Sequence, residues 1–331
     1  MRVTSECDTI GSFPICNRAD AQFGPTIAFN GNDYIVVWSD RRFTGTYFWT
    51  TAARVTRQGA VLDTGYGIGS ADAHNEFYPD IAFDGNRCFA VWYRSAFAPY
   101  GIYGRFINSM AQPEDSMVTV SSTATSLYNF PKVDFDGRNY LVVWADLRSG
   151  EADYDVFGQL VSVQGQPVGP KITVATGPPE QSRPDVTFDG RQYLVVWIED
   201  KWVFGQKLAP SGQLIGGNFR ISDTTSNIRS YPRACAGRTN HLVVWSEERN
   251  LFNDIYGNVD VVVGVAEDGR TVRRTRSGWP TIIAGDLSLR NDKKVKVYDR
   301  SGRLVKPRNL EPGVYFIEIE GTSPRKIVKI K

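Results

Sequence analysis

Two histidines and four cysteines are all the imidazoles and thiols that this 331-residue chain offers a zinc ion. No CxxC and no His–Cys cluster at zinc spacing occurs, which removes a zinc centre as a source of chemistry. His241 fills a slot that Tyr34, Tyr140 and Tyr193 fill elsewhere, and reads as a strand residue. Cys7 and Cys16 flank a turn-like IGSFP segment and are placed to pair in an exported protein, whereas Cys88 and Cys235 read as packed side chains. No apolar run approaches the ~18 residues of a membrane span. No stretch of a dozen residues repeats apolar positions at helical spacing, so helix is not expected. Phosphate-binding loops of the GxGxxG and GxxxxGK[ST] kinds are missing, as is any Ser/His/Asp constellation above chance. No cofactor is expected. A structural calcium is the one ion the carboxylates suit, at Asp153 and Asp155 or at Asp254 and Asp260, although neither set has the twelve-residue calcium loop. The formal net charge is +2, with a basic tail after Val265 and a mildly acidic region before it, which argues against a nucleic-acid footprint on the main domain.

What the chain does have is a repeat. PTIAFNGNDYIVVW opens at Pro25, PDIAFDGNRCFAVW at Pro79, PKVDFDGRNYLVVW at Pro131, PDVTFDGRQYLVVW at Pro184, and a degenerate PRACAGRTNHLVVW at Pro232. Each reads as a hairpin: a short strand led in by proline, an Asn-Gly or Asp-Gly turn, and a β-branched strand ending on tryptophan. The period of about 50 residues fits one four-stranded propeller blade. A third strand with glycine after an aromatic residue and a fourth, outer strand complete each unit. Trp38, Trp92, Trp144, Trp197 and Trp245 are then expected as buried wedges between sheets, a structural role.

The expected fold is all-β: a β-propeller of five or six four-stranded blades over residues 1–278, followed by a small Ig-like antiparallel β-sandwich over 279–331. Trp279–Gly285 looks like a sixth blade opening that loses its second strand. Met1-Arg2-Val3-Thr4 leads into polar sequence and not into an apolar export signal, so either the protein stays inside or the chain as numbered lacks its natural beginning. The second is favoured because Arg2-Val3-Thr4 stands before Pro25 as Arg54-Val55-Thr56 stands before Pro79. Residues 1–20 resemble outer strands without inner partners upstream, and are expected to close the ring against the far end of the chain.

Function is expected where the copies disagree, in the loops after each tryptophan and in the links before each proline. The links and loops supply Arg42, Phe77, Tyr78, Arg94, Tyr128, Arg148, Arg183, Tyr231 and Arg249 as candidate ligand-binding residues. The alternative reading of the aromatic ones is that they fill blade junctions. Asp40, Asp146, Glu199 and Glu247 follow their tryptophans at one repeated place. An acid–base pair about 5 to 9.5 Å apart is what glycoside cleavage requires. Repetition argues instead for a structural role, because a catalytic site breaks the symmetry of its repeats.

The C-terminal run VYDRSGRLVK, then LEPGVYFIEIE, then the basic strand RKIVK, resembles the sorting domain of cargo exported by the type IX secretion system, with Tyr298, Gly302, Pro312, Gly313, Tyr315 and Lys326 at the matching motifs. That resemblance implies an Ig-like sandwich read by outer-membrane export machinery, and a secreted or bacterial cell-surface location. The repeats likewise resemble FDGxNYLVVW-type propeller repeats of bacterial secreted proteins. The expectation is a surface or secreted binding or scaffold protein without turnover, its ligand a polysaccharide or a protein. The alternatives are a carbohydrate-active, glycoside-hydrolase-like enzyme with one non-repeated carboxylate pair in the central pocket, and a purely structural surface protein.

Overall fold

The computed structural model describes residues 2–3, residues 9–259 apart from 64, 71, 96–99, 123–129, 148–152, 224–225, 238–239 and 250–251, and five strands beyond residue 280. It divides into two compact units, Met1–Val263 and Gly264–Lys331. The expected boundary at 278/279 falls outside the described residues.

The first unit is a five-bladed β-propeller. Blade 1 runs Gln22–Phe29, Asp33–Asp40, Trp49–Thr56 and Tyr66–Gly67; blade 2 runs Asn75–Phe83, Cys88–Ser95, Gly101–Ile107 and Pro113–Ser121. Blade 3 comprises Lys132–Phe135, Asn139–Leu147, Tyr154–Ser162 and Pro167–Ala175; blade 4 comprises Gln181–Phe188, Tyr193–Glu199, Trp202–Leu208 and Leu214–Arg220. Blade 5 shows three strands among the described residues, Arg229–Ala236, His241–Arg249 and Phe252–Val259. All pairings within blades are antiparallel, and the first strands of successive blades neighbour one another.

The hairpin turns explain themselves locally. Gly31, Gly85, Gly137 and Gly190 take φ of 90°, 98°, 95° and 90°, a backbone that strains any residue with a Cβ. The residue before each, Asn30, Asp84, Asp136 or Asp189, accepts backbone N–H groups two and three residues on, at 2.7–3.0 Å. In the third strands, a Cβ on Gly104 would lie 2.5 Å from Phe89 and one on Gly205 2.9 Å from Ile221, so the recurring glycine marks close approach.

Between blades, tryptophan is the wedge. Trp144 and Tyr140 of blade 3 pack into Phe89, Val91 and Tyr93 of blade 2; Trp92 packs on Ile35, Val37 and Ala52 of blade 1; Trp197 and Trp245 repeat the arrangement. All five are buried. Trp38, which opens the ring, is covered by Phe13, Ile15 and Cys16, while Arg2–Val3 pairs with Thr9–Gly11. The outward face of blade 1 leaves Ile27 58% exposed, where its counterpart Val133 is at 5%. Cys88 is buried as expected, but Cys235 is exposed: its counterpart Thr187 is covered by blade 5, whose Ala236 N–H it accepts, and Cys235 has no such cover among the described residues. Cys7, and with it the Cys7–Cys16 pairing, lies outside the described residues.

The second unit forms one five-stranded sheet in the order Thr281–Ala284, Arg325–Ile330, Gly313–Ile319, Val295–Asp299, Leu304–Val305. The segment that resembled a sixth blade opening pairs parallel with the last strand of this sheet. Five blades, not six, follow.

Candidate active site

Four of the five first strands, all but that of blade 3, share one local irregularity. Their pairing with the second strand slips between Phe23 and Thr26, Phe77 and Asp80, Ser182 and Asp185, and Ser230 and Arg233. The cause is the residue before each proline, which takes a left-handed backbone: Gly24 at φ 64°, Tyr78 at 53°, Phe130 at 36°, Arg183 at 54° and Tyr231 at 52°. Non-glycine residues rarely adopt this conformation, and bulges of this kind re-aim side chains at functional sites. Here they turn four large side chains toward the axis of the ring. Tyr78 and Phe130 lie 4.4 Å apart between ring centroids. Arg183 spreads its guanidinium over Phe130 at 5.2 Å and over Tyr231 at 4.1 Å. They surround a cavity of about 210 Å³ to which all five first strands contribute, with Thr26, Lys132 and Arg233 among its lining.

The residue after each proline is where the copies differ most in charge: Thr26, Asp80, Lys132, Asp185 and Arg233. These side chains form one mutually interacting group. Asp80 accepts the Thr26 hydroxyl at 2.9 Å and the Val133 N–H at 3.0 Å, and pairs with Lys132 at 3.4 Å. Asp185 accepts the Ala234 N–H at 2.8 Å and is 7% exposed. Burial pushes its carboxyl up to about 6; Lys132 and Arg233 oppose that shift and Asp80 adds to it. Asp134, two positions further along, accepts N–H bonds from Phe135 and Phe188, and burial raises it too. Asp80 and Asp185 stand immediately behind the cavity wall, each adjacent to a lining proline, Pro79 or Pro184.

The other candidate residues distribute differently. Tyr78, Arg183 and Tyr231 meet at the cavity. Phe77 instead fills a blade junction against Phe23 and Phe48, at 5.8 and 5.6 Å. Arg42 is held by Asp40 at 3.1 Å and by the Gly65 carbonyl at 3.2 Å. Arg94 bonds Asp72 and lies 2.9 Å from His74 Nδ1. Tyr128 and Arg148 lie outside the described residues, as does the side chain of Arg249. Of the post-tryptophan acids, Asp40, Glu199 and Glu247 accept the indole N–H of Trp38, Trp197 and Trp245 at 2.8, 3.2 and 2.9 Å. Asp146 is buried at the equivalent place. Glu247 also pairs with the fully buried Arg229 at 3.0 Å.

Among the described residues, no group of three or more His, Cys, Asp or Glu side chains is arranged to hold a metal ion. Asp155 accepts the Gly177 N–H at 2.9 Å, Asp153 and Asp254 are exposed, and Asp260 lies outside the described residues. In the second unit, Gly302 and Pro312 lie outside them as well, and Tyr298, Gly313, Tyr315 and Lys326 are placed by strand and register alone.

Sequence reasoning missed Thr26, Asp80, Lys132, Asp185 and Arg233. The signal was present: with the repeats aligned on proline, the following column changes between Thr, Asp, Lys, Asp and Arg while its surroundings hold.

No protein-family profile matches the chain, and no curated protein does. Among solved structures it is similar to a thermostable family-43 glycoside hydrolase, at 10% identity and TM-score 0.46, covering 72% of this chain and 88% of that one. It is also similar to an endo-arabinase from Bacteroides thetaiotaomicron, at 11% identity and TM-score 0.46 over 73% and 94% of the two chains. A GH43 endo-arabinanase from Bacillus licheniformis matches at 13% identity and TM-score 0.42 over 71% and 92%. These neighbours are glycoside hydrolases, and they run against the expectation of a binding or scaffold protein without turnover; that expectation is corrected here. At such identities the likeness speaks to fold, and the residue-level case rests on the pocket.

Proposed function

We propose that the propeller is a carbohydrate-active enzyme that cleaves a glycosidic bond, with Asp185 as the proton donor and Asp80 as its carboxylate partner. The observation that carries this reading is the broken symmetry behind the axial cavity. Asp80 and Asp185 stand behind its wall, with Lys132 and Arg233 beside them, in a column where the other copies carry Thr, Lys and Arg, whereas the acids after the tryptophans take the indole N–H in blade after blade. Glycoside cleavage needs one carboxyl that delivers a proton to the departing oxygen and a second that assists attack at the sugar carbon. Burial supplies the first requirement, since a carboxyl at about 6 retains a usable proton near neutral pH. The ion pair with Lys132 and the Thr26 hydroxyl hold the second in place. Tyr78, Phe130 and Tyr231 offer apolar faces to a sugar ring. A cavity of about 210 Å³ is below the roughly 300 Å³ at which drug-sized clefts begin, and suits a single sugar unit. This chemistry calls for no cofactor.

The test is release of reducing ends from a polysaccharide panel by the full chain and by Asp185→Asn and Asp80→Asn. Each variant is expected to lose about 10²–10⁴ in turnover. Asp185→Asn should lose much less on a dinitrophenyl glycoside, whose leaving group needs no proton. Full activity in either variant, or no release from any substrate, defeats the reading.

We further propose that the second unit is an export and anchoring module read by outer-membrane machinery, which makes the enzyme secreted or held at a bacterial cell surface. Support comes from the ordered motifs around Tyr298, Pro312 to Tyr315, and Lys326.

A further inference from the structure

Three cations line the axial cavity: Lys132, Arg183 and Arg233. Its remaining polar lining groups are the hydroxyls of Thr26, Tyr78 and Tyr231, with no amide or carboxylate side chain among the lining residues. Half of these groups, the three cations, can only donate, which favours a ligand that brings charged acceptor oxygens.

Neither arginine has an ion pair among the described residues, although Arg233 lies near enough to Asp185 to oppose the rise of its carboxyl. Lys132 has Asp80 at 3.4 Å. Arg183 has no carboxylate within ion-pair distance among the described residues; its guanidinium is positioned by the rings of Phe130 and Tyr231, at 5.2 and 4.1 Å. Arg233 donates to the carbonyl of Pro232 at 2.9 Å and likewise has no carboxylate at ion-pair range among the described residues. Asp80 and Asp185 are occupied behind the wall by Thr26, Val133 and Ala234. A guanidinium positioned by two aromatic rings, which take no N–H hydrogen bond in the plane of the group, retains the N–H fork that takes a carboxylate through paired hydrogen bonds.

From this lining we infer that the sugar unit seated in the cavity carries a carboxylate, as a uronic acid does, and that Arg183 and Arg233 grip it. The inference rests on the hydrolase reading of the same pocket and names its substrate class.

The test measures binding of the full chain to a panel of oligouronates, each beside its neutral methyl ester and a sulfated oligosaccharide of equal length. The acids are expected to bind about ten- to a hundredfold more tightly than their esters, with affinity falling as salt is added. Arg183→Gln and Arg233→Gln should each remove most of that preference, the acid losing about ten- to a hundredfold more affinity than its ester does. Equal affinity for acid and ester overturns the inference, as does a preference that survives both substitutions or tighter binding of the sulfated chain. Cleavage is scored separately. Acids bound but left intact keep the charge selectivity and remove the hydrolytic reading; neutral substrates cleaved as fast as acidic ones do the reverse.

Discussion

Asp185 shows how one side chain is set by its place behind a wall. Its unfolded counterpart titrates near 3.8, and burial raises the folded group to about 6. The folded protein therefore holds the proton more tightly than the unfolded chain. The resulting penalty is absent below pH 3.8, grows between 3.8 and 6, and is fully present above that, where the shift corresponds to about 3 kcal/mol. Asp185→Asn keeps an acceptor for the Ala234 N–H and removes the penalty. Its Tm should exceed the wild type by several degrees at pH 7.5, and the gap should close as pH falls to 4; a gap independent of pH would show that Asp185 is not held protonated by burial. Sequence reasoning passed over this residue because the repeat looked uniform where strands and turns were read. The post-proline column matters for direction, not for fold: the bulge made by left-handed Arg183 aims Asp185, and a dihedral angle leaves no mark in composition. Tyr78, Arg183 and Tyr231 were legible because large polar or aromatic side chains in a link stand out unaided.

At the scale of the element, the tryptophan and the acid two residues later act as one part. Glu247 takes the Trp245 N–H and neutralises Arg229, whose side chain is 0% exposed. Glu199 takes the Trp197 N–H in a more open setting. Glu247→Gln should cost about 3 kcal/mol in urea unfolding, near the lower end for breaking a buried pair, since Asp223 still bonds Arg229. Glu199→Gln should cost less than about 1 kcal/mol and leave turnover intact. Matching losses from the two would mean that burial of Arg229 is not what gives Glu247 its weight. Glu76 clips blade 1 to blade 2 in a similar way, accepting the Thr50 and Ser70 N–H groups at 2.7 Å each, while burial raises its carboxyl. This much was readable beforehand: the acid recurred at the same offset from tryptophan in four of the repeats, as a structural bond does. Arg94 marked the exception, and it is committed to Asp72.

On the scale of the whole molecule, a five-bladed ring follows from five tryptophan hairpins of one period. The sixth opening at Trp279 misled because proline, β-branched residues and glycine are shared by blade openings and by any strand-turn start; what it lacked was a following strand ending on tryptophan. The export proposal makes a prediction here. Protein recovered from its native cell surface or medium should end between residues 264 and 294 by intact mass, and a full-length carboxy terminus on protein recovered from inside the cell would refute it. One feature of the ring reaches beyond present chemistry. The position after each proline already holds a hydroxyl, two acids and two bases without altering the tryptophan wedges, the turns or the strand order. It is a set of interchangeable sockets on a fixed frame, so changes confined to those five residues could convert the preference of the pocket from one sugar charge to another while the propeller stays as it is.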